Sequence, residues 1–486
     1  MKTLKRLSIV LLALTTVLLF NVWRLPGAHT AGALPPLTDI DATAVAQRLS
    51  GAVRIPTISY GEKVKNDLAQ LAALAEYLKK TFPRLHTQLK RETVAGHSLL
   101  FTWTGADANA KPILLMAHQD VVPIEPGTEK LWEHPAFSGD IAEGFVWGRG
   151  ALDDKGSLMA QLEAIDSLLA AGFKPVRTVM LALGHDEEIG GREGAVKIAE
   201  LLKSRGLHFE FALDEGGSIS EGIIAGVKTP VASIMAAEKG YASFRLTTRD
   251  AGGHSSRPPP QTAVGRLARA VARVQDAPLP TRLAAPVTDM LDRLAPEMPF
   301  MRRLLIANRW LFGPLLRRQM AQASITNAMV RTTTAPTMFH AGIKDNVLPS
   351  EAYAVINFRL LPGDTGPQLE AYIREVVDDE GVEVTHEGFA PREASPVADA
   401  SSPSFALIAK TVQDVFPDVV VSTGIVIGGT DLRNYVGLYE HRYNFAPFRI
   451  RPDDLVRIHG HNERLSVDDY VRGIEFYRRL MRNAAS

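Results

Sequence analysis

Three apolar, strand-like runs in this chain each end on side chains that bind metal. They are Ile113-Leu114-Leu115-Met116-Ala117-His118, Val179-Met180-Leu181-Ala182-Leu183-Gly184-His185-Asp186-Glu187-Glu188 and Phe209-Glu210-Phe211-Ala212-Leu213-Asp214. Near-continuous apolar runs belong to strands buried on both faces, as in sheets covered by helices. In an open sheet of that kind, ligands bind in the crevice beyond the carboxyl ends of the strands. Imidazoles and carboxylates delivered there from separate strands converge on one site, so the pattern points to an α/β fold with a metal centre at one sheet edge.

Composition narrows the chemistry. The chain has 486 residues, 46% of them hydrophobic, enough for one large core or two smaller ones. Lys plus Arg and Asp plus Glu balance at 54 each, so there is no positive field to recruit nucleic acid. Cysteine is absent, which excludes disulfides, thiolate catalysis and Cys-ligated zinc and leaves any metal to His, Asp and Glu.

The first 33 residues are of another kind. Lys2, Lys5 and Arg6 precede an apolar run from Leu7 to Val22, and Ala31-Gly32-Ala33 supplies a small-x-small cleavage pattern. This reads as a signal peptide, with an uncleaved N-terminal membrane anchor as the alternative, because the run approaches the roughly 20 residues of a spanning helix. The expected location is exported, periplasmic or extracellular, or membrane-anchored with the body outside the cytoplasm.

Along the body, helical patterning over 39–82 gives way to strands at 99–103 and 113–117, a helix at 156–171, and strands at 176–183 and 209–213. The alternation predicts α/β winding. Near Glu238-Lys239-Gly240 the character shifts to a β-α-β-β-α-β arrangement. The expected organisation is a catalytic domain over 34–238, a lid or dimerisation-type domain over 239–390, and a return to the catalytic domain over 391–486. From Ser402 on, a helix, a Gly-rich turn and a terminal helix are expected. Within the lid, 281–325 combines Trp310, Leu311, Phe312 and Leu315 with Arg302, Arg303, Arg309, Arg317 and Arg318. It is read as a helical hairpin packed on the lid with its arginines in solvent, against the alternative of a membrane-surface helix.

Several clusters carry chemistry. His118-Gln119-Asp120 pairs a neutral ligand with a carboxylate suited to orienting it. Asp153 and Asp154 follow a Gly-rich turn; helix capping excuses one acid, and a carboxylate with two free oxygens can bridge two cations. Asp186-Glu187-Glu188 places three repelling acids behind an apolar strand, and metal binding would relieve the repulsion. One of Glu187 and Glu188 suits a ligand and the other a general base. Asp214 offers a further ligand, with Glu215 as its rival. His459-Gly460-His461 holds two histidines between which spacing does not choose, and His254 sits in a Gly-rich turn.

In this order, these segments resemble the M20 family of metallopeptidases from about Asp39 onward. The resemblance rests on Ala117-His118-Gln119-Asp120, Trp147 to Gly156, His185-Asp186-Glu187-Glu188, Leu213-Asp214-Glu215-Gly216-Gly217, Gly253-His254-Ser255-Ser256, Asn346-Val347-Leu348-Pro349, Phe358-Arg359-Leu360, Gly428-Gly429-Thr430-Asp431 and His459-x-x-Asn462-Glu463. It is nearest the carboxypeptidase S and N-acyl-amino-acid hydrolase branch. The resemblance implies a zinc-peptidase-like mixed sheet flanked by helices, with an inserted α+β ferredoxin-like lid. It implies two Zn2+ per subunit, with Co2+ or Mn2+ as substitutes: His118, Asp153 and Asp214 for one, Asp153, Glu188 and His459 for the other. Glu187 is then the general base, Asp120 orients His118, and His254 stabilises the oxyanion, from a partner chain in dimeric relatives. Asn346, Arg359, Gly428, Gly429 and Thr430 resemble substrate-binding positions. The implied reaction is release of a C-terminal amino acid from a small peptide or N-acyl amino acid, with a fatty-acyl preference as the close variant. A homodimer is the further implied partner, and the N-terminal segment read above adds membrane association as an expectation. A non-catalytic binding relative would have lost a ligand or the base, and none is missing.

Overall fold

The computed structural model describes every residue except Met1, Thr38, residues 62–66 and Phe389, together with the side chain of Lys2. Its centre is a ten-stranded mixed sheet. Ile113–His118 lies between Val179–Gly184 and Phe209–Asp214, parallel to both, and Tyr439–Asn444 continues the parallel set beside Phe209–Asp214. His118 pairs with Gly184 and Asn444 with Asp214, so the carboxyl ends of these strands finish at one edge.

Apolar alternation explains why the strands are continuous in hydrophobicity. Ile113, Leu115 and Ala117 enter one core, beneath Leu158, Leu162 and Ile165 of helix Lys155–Ala170 and Ile474 and Phe476 of helix Val467–Ala484. Leu114 and Met116 enter the opposite core with Ile198 and Leu202 of helix Ala195–Ser204. Each face is sealed, as the apolar runs required.

The region expected to form a lid holds a four-stranded antiparallel sheet ordered Thr333–Ala341, Glu351–Leu360, Gly240–Arg249, Val382–His386. Helices Ala263–Asp276 and Gly366–Val377 cover one face, packing Leu267 and Ile373 on Phe244, Ile356 and Phe358. Thr333–Ala341 forms an exposed edge.

Two parts differ from the sequence reading. Residues 402–486 also contribute strands Val420–Val426, Tyr439–Asn444 and Arg449–Ile450 to the central sheet. Residues 281–325 form helices Ala285–Leu294, Phe300–Ala307 and Arg309–Met320, followed by Ser324–Val330, and they pack on the central sheet rather than on the lid sheet. The reason is apolar matching, since Val287, Leu291, Ile306 and Leu316 close over Ala237 and Ile425.

Candidate metal centre

The strand ends meet as the winding requires. His118 closes its strand and is 1% exposed. Its Nδ1–H donates to the Asp120 carbonyl at 2.9 Å, which fixes the tautomer and leaves Nε2 facing Asp153 at 3.0 Å. The second oxygen of Asp153 lies 3.1 Å from Nε2 of His459, and that nitrogen lies 3.3 Å from Glu188. Asp153 therefore stands between two groups of donors.

Two sets of ligand atoms each lie within 4.8 Å of one another: His118, Asp153 and Glu215 in one, Asp153, Glu188 and His459 in the other. Glu215 occupies the place that the sequence reading gave to Asp214. Successive side chains in an extended segment point to opposite sides, and here Asp214 points inward. Its oxygens accept the N–H groups of Glu215 and Leu432 at 3.0 and 2.9 Å, so it buttresses the loop instead.

Electrostatics favour a cation in this cage. Burial pushes the carboxyls of Glu187, Glu188 and Glu215 up, with further repulsion from Glu188 on Glu187 and from Asp153 on Glu188 and Glu215. Burial also opposes ionisation of Asp153, but the imidazoles of His118 and His459 outweigh it and hold that carboxyl below the ordinary range. Oε1 of Glu188 is buried without a hydrogen-bond partner. An orphan acceptor among crowded carboxylates and two imidazoles is a donor set suited to zinc.

The supporting groups were not all foreseen. The Asp120 carboxylate accepts the N–H groups of Glu187 and Glu188 at 3.0 and 3.2 Å, besides standing 3.4 Å from His118 Nδ1. It thus sets the short turn Glu187–Ile189, while the imidazole is held by the main-chain carbonyl of the same residue. Asp186 turns away and accepts N–H groups of Glu193 and Gly194. Arg149 and Glu463 received no role from sequence, yet Arg149 holds the carbonyls of His459 and Gly460 while Glu463 accepts the N–H groups of Leu152 and Asp153. His459 is kept at φ +60°, which is costly for a non-glycine residue, and those two bonds from Arg149 oppose its relaxation. Their only sequence signal was position: each lies within four residues of a candidate ligand, Asp153 or His459.

The family model for peptidase family M20/M25/M40 matches residues 114–483. The chain belongs to this family. An N-fatty-acyl-amino acid synthase/hydrolase of Xenopus tropicalis is 38% identical over 98% of this chain and 93% of its own length. A probable carboxypeptidase S-like protein of Dictyostelium discoideum is 41% identical over 92% and 86%, and carboxypeptidase S of Saccharomyces cerevisiae 32% over 88% and 82%. Among solved structures, an M20 metallo-carboxypeptidase of Sulfolobus solfataricus superposes with a TM-score of 0.66 at 20% identity, covering 91% of this chain and 99% of the other, which establishes the shared fold.

Two cavities flank the M20 centre and share Glu188 and Gly428 on their walls. One, of about 710 Å3, is lined by Arg192, Lys239, Arg359, Arg392 and Arg433. Burial lowers the Arg359 guanidinium and depresses the Lys239 ammonium to about 7, where it donates to the carbonyls of Ala328 and Arg331. The other cavity, of about 440 Å3, runs from Asp153, Glu215 and His459 along Met235, Ile425 and Ile450 to Met290, Ile325 and Met329. Gly428 has no neighbour where a Cβ would stand, whereas at Gly429 a Cβ would meet the Arg433 guanidinium. The Thr430 hydroxyl donates to Glu238 and accepts from Asn444, so it braces the loop. His254 and Asn346 lie together on the exposed lid ribbon Gly253–His254 with Val347–Leu348, and neither lines these cavities.

Proposed function

We propose that this chain is a dizinc amidohydrolase whose preferred substrates are N-acyl amino acids with long aliphatic acyl chains. One observation carries the reading: the ligand cage stands where a cationic cavity and an apolar cavity meet. An amide spanning the cage would place its amino acid carboxylate between Arg359 and Arg433 and its acyl chain along Met235, Ile425 and Met290. Guanidinium forks suit the carboxylate, and apolar walls suit the chain.

His118, Asp153 and Glu215 would hold one ion and Asp153, Glu188 and His459 the other, Asp153 serving both. A bound pair of divalent cations would supply polarisation of the scissile carbonyl and acidify an attacking water. Glu187, buried beside Glu188 and 3.9 Å from the Arg433 guanidinium, acts as general base. It takes a proton as the water oxygen bonds to the carbonyl carbon, then delivers that proton to the nitrogen as the C–N bond breaks, releasing a carboxylic acid and a free amine. Asp120 keeps His118 and the Glu187 turn in place throughout.

His254 needs a second copy of the chain to act on the oxyanion, and the exposed edge strand Thr333–Ala341, with Met338 46% and Phe339 47% exposed, is the surface for such pairing. The N-terminal helix would hold the body at a membrane outside the cytoplasm.

The test is a chain-length series of N-acyl phenylalanines from acetyl to hexadecanoyl, with a blocked dipeptide for comparison. Each buried methylene is worth about 0.8 kcal/mol, about fourfold in kcat/KM, until the cavity is filled. A flat series, or preference for the dipeptide, would overturn the fatty-acyl reading and leave a carboxypeptidase.

A further inference from the structure

The helical insertion carries an apolar face that none of the cores uses. In helix Arg309–Met320, Gly313 and Leu316 are buried, while Trp310, Leu311, Leu315 and Arg318 are exposed along one side. The preceding helix Phe300–Ala307 adds Phe300 and Met301, 51% and 64% exposed, to Trp310 at 62%. Large apolar groups gathered on one surface mark an interaction site.

The N-terminal helix Lys2–Trp23 identifies the partner. Thr3–Trp23 is long and apolar enough to cross a membrane. Its C-terminal end is fastened to the insertion, where Asn21 Nδ2 donates to Asn308 at 2.8 Å and Asn308 Nδ2 donates to the Leu18 carbonyl at 3.0 Å. Val22 is buried and Leu25 packs on the insertion core. Elsewhere the helix leaves Leu4, Leu7, Ile9, Leu11 and Leu12 exposed, a surface that hydrocarbon satisfies and water does not.

Asn308 separates the two insertion helices that bear the apolar face, so that face begins where the spanning helix ends. Trp23 and Trp310 are both exposed there, the residue type that prefers the bilayer interface. Arg24, Arg317 and Arg318 have no carboxylate partner among the described residues and complement anionic headgroups. We infer that Phe300, Met301, Trp310, Leu311 and Leu315, flanked by these arginines, dock on the surface of an anionic lipid bilayer. Ile325, 49% exposed and part of the apolar cavity's wall, belongs to the next helix, so that wall is carried on the docked unit.

The absence of cysteine makes the test clean. Single variants Met301→Cys, Trp310→Cys, Leu311→Cys and Leu315→Cys of the full chain are spin-labelled and reconstituted in vesicles of phosphatidylcholine with phosphatidylglycerol. Ser204→Cys, on an exposed position of the catalytic body, is the aqueous control. The four labels are expected to collide more with oxygen than with a water-soluble nickel chelate, the control the reverse. Arg317→Glu with Arg318→Glu should move the four labels toward the aqueous value. Labels that read like Ser204→Cys would overturn the inference, as would labels shielded from both reagents, which would mean a protein covers the face. The readout needs no turnover, so its failure is distinct from failure of the hydrolytic reading.

Discussion

Arg149 and Glu463, 314 residues apart in sequence, form an ion pair at 2.7 Å with side chains only 3% and 0% exposed. Through it the loop carrying Asp153 and the loop carrying His459 are joined, because each partner also holds the backbone of the other loop. The pair is a strut between the two candidate ligand groups.

Glu463→Ala leaves a buried guanidinium without its counter-charge and frees two N–H groups beside Asp153. Breaking a buried pair from one side costs about 3–5 kcal/mol. A calorimetric scan should show a clearly lower unfolding midpoint, and zinc titration a weaker second ion. An unchanged midpoint would remove the strut.

Asp120→Asn turns an acceptor of two backbone N–H groups into one that also presents a donor. Changes of this kind behind metal ligands lower affinity or activity by about 10- to 100-fold. The fall should appear in kcat and in zinc affinity together, with the circular dichroism spectrum unchanged.

Glu187→Gln removes the proposed base while keeping its size. Zinc content should stay at the wild-type value and kcat should drop by about 10^2- to 10^4-fold. Parallel metal analysis and kinetics on one preparation check both statements, and wild-type turnover would dismiss Glu187 as the base.

Lys239 is 4% exposed, and burial takes its ammonium from the usual 10.5 to about 7. Between those pH values the unfolded chain binds the proton and the folded chain does not, so stability rises with pH across that window. The slope from one such group is at most about 1.4 kcal/mol per pH unit. From pH 7 to 10 the wild-type denaturation midpoint should rise relative to that of Lys239→Met, because Lys155, and the raised imidazoles and carboxyls of the cage whose contributions to stability fall as pH rises, are common to both chains.

What the sequence made legible was local. His118, Asp153, Glu187 and Glu188 could be read because an apolar strand or a Gly-rich turn lies immediately before each. Asp214 and Glu215 could not be separated, because the choice depends on which of two adjacent side chains faces inward, and the Leu432 N–H that draws Asp214 inward meets it only in the fold. The Arg149–Glu463 strut and the docking of Asn21 on Asn308 join residues hundreds of positions apart, beyond the reach of periodicity. The strands at 420–426 and 439–444 were missed because Ser422, Thr423 and Gly424 interrupt the first and polar residues fill most of the second. The roles of His254 and Asn346 were carried by resemblance alone, and the single chain leaves both at its surface.

Asp153 is proposed to serve two ions at once. Diffraction from zinc-loaded crystals at the zinc absorption edge measures this directly. Two anomalous peaks about 3.5–4 Å apart, flanking the Asp153 carboxylate, with His118 and Glu215 on one and Glu188 and His459 on the other, are the predicted result. A single peak, or two that do not share Asp153, would contradict it.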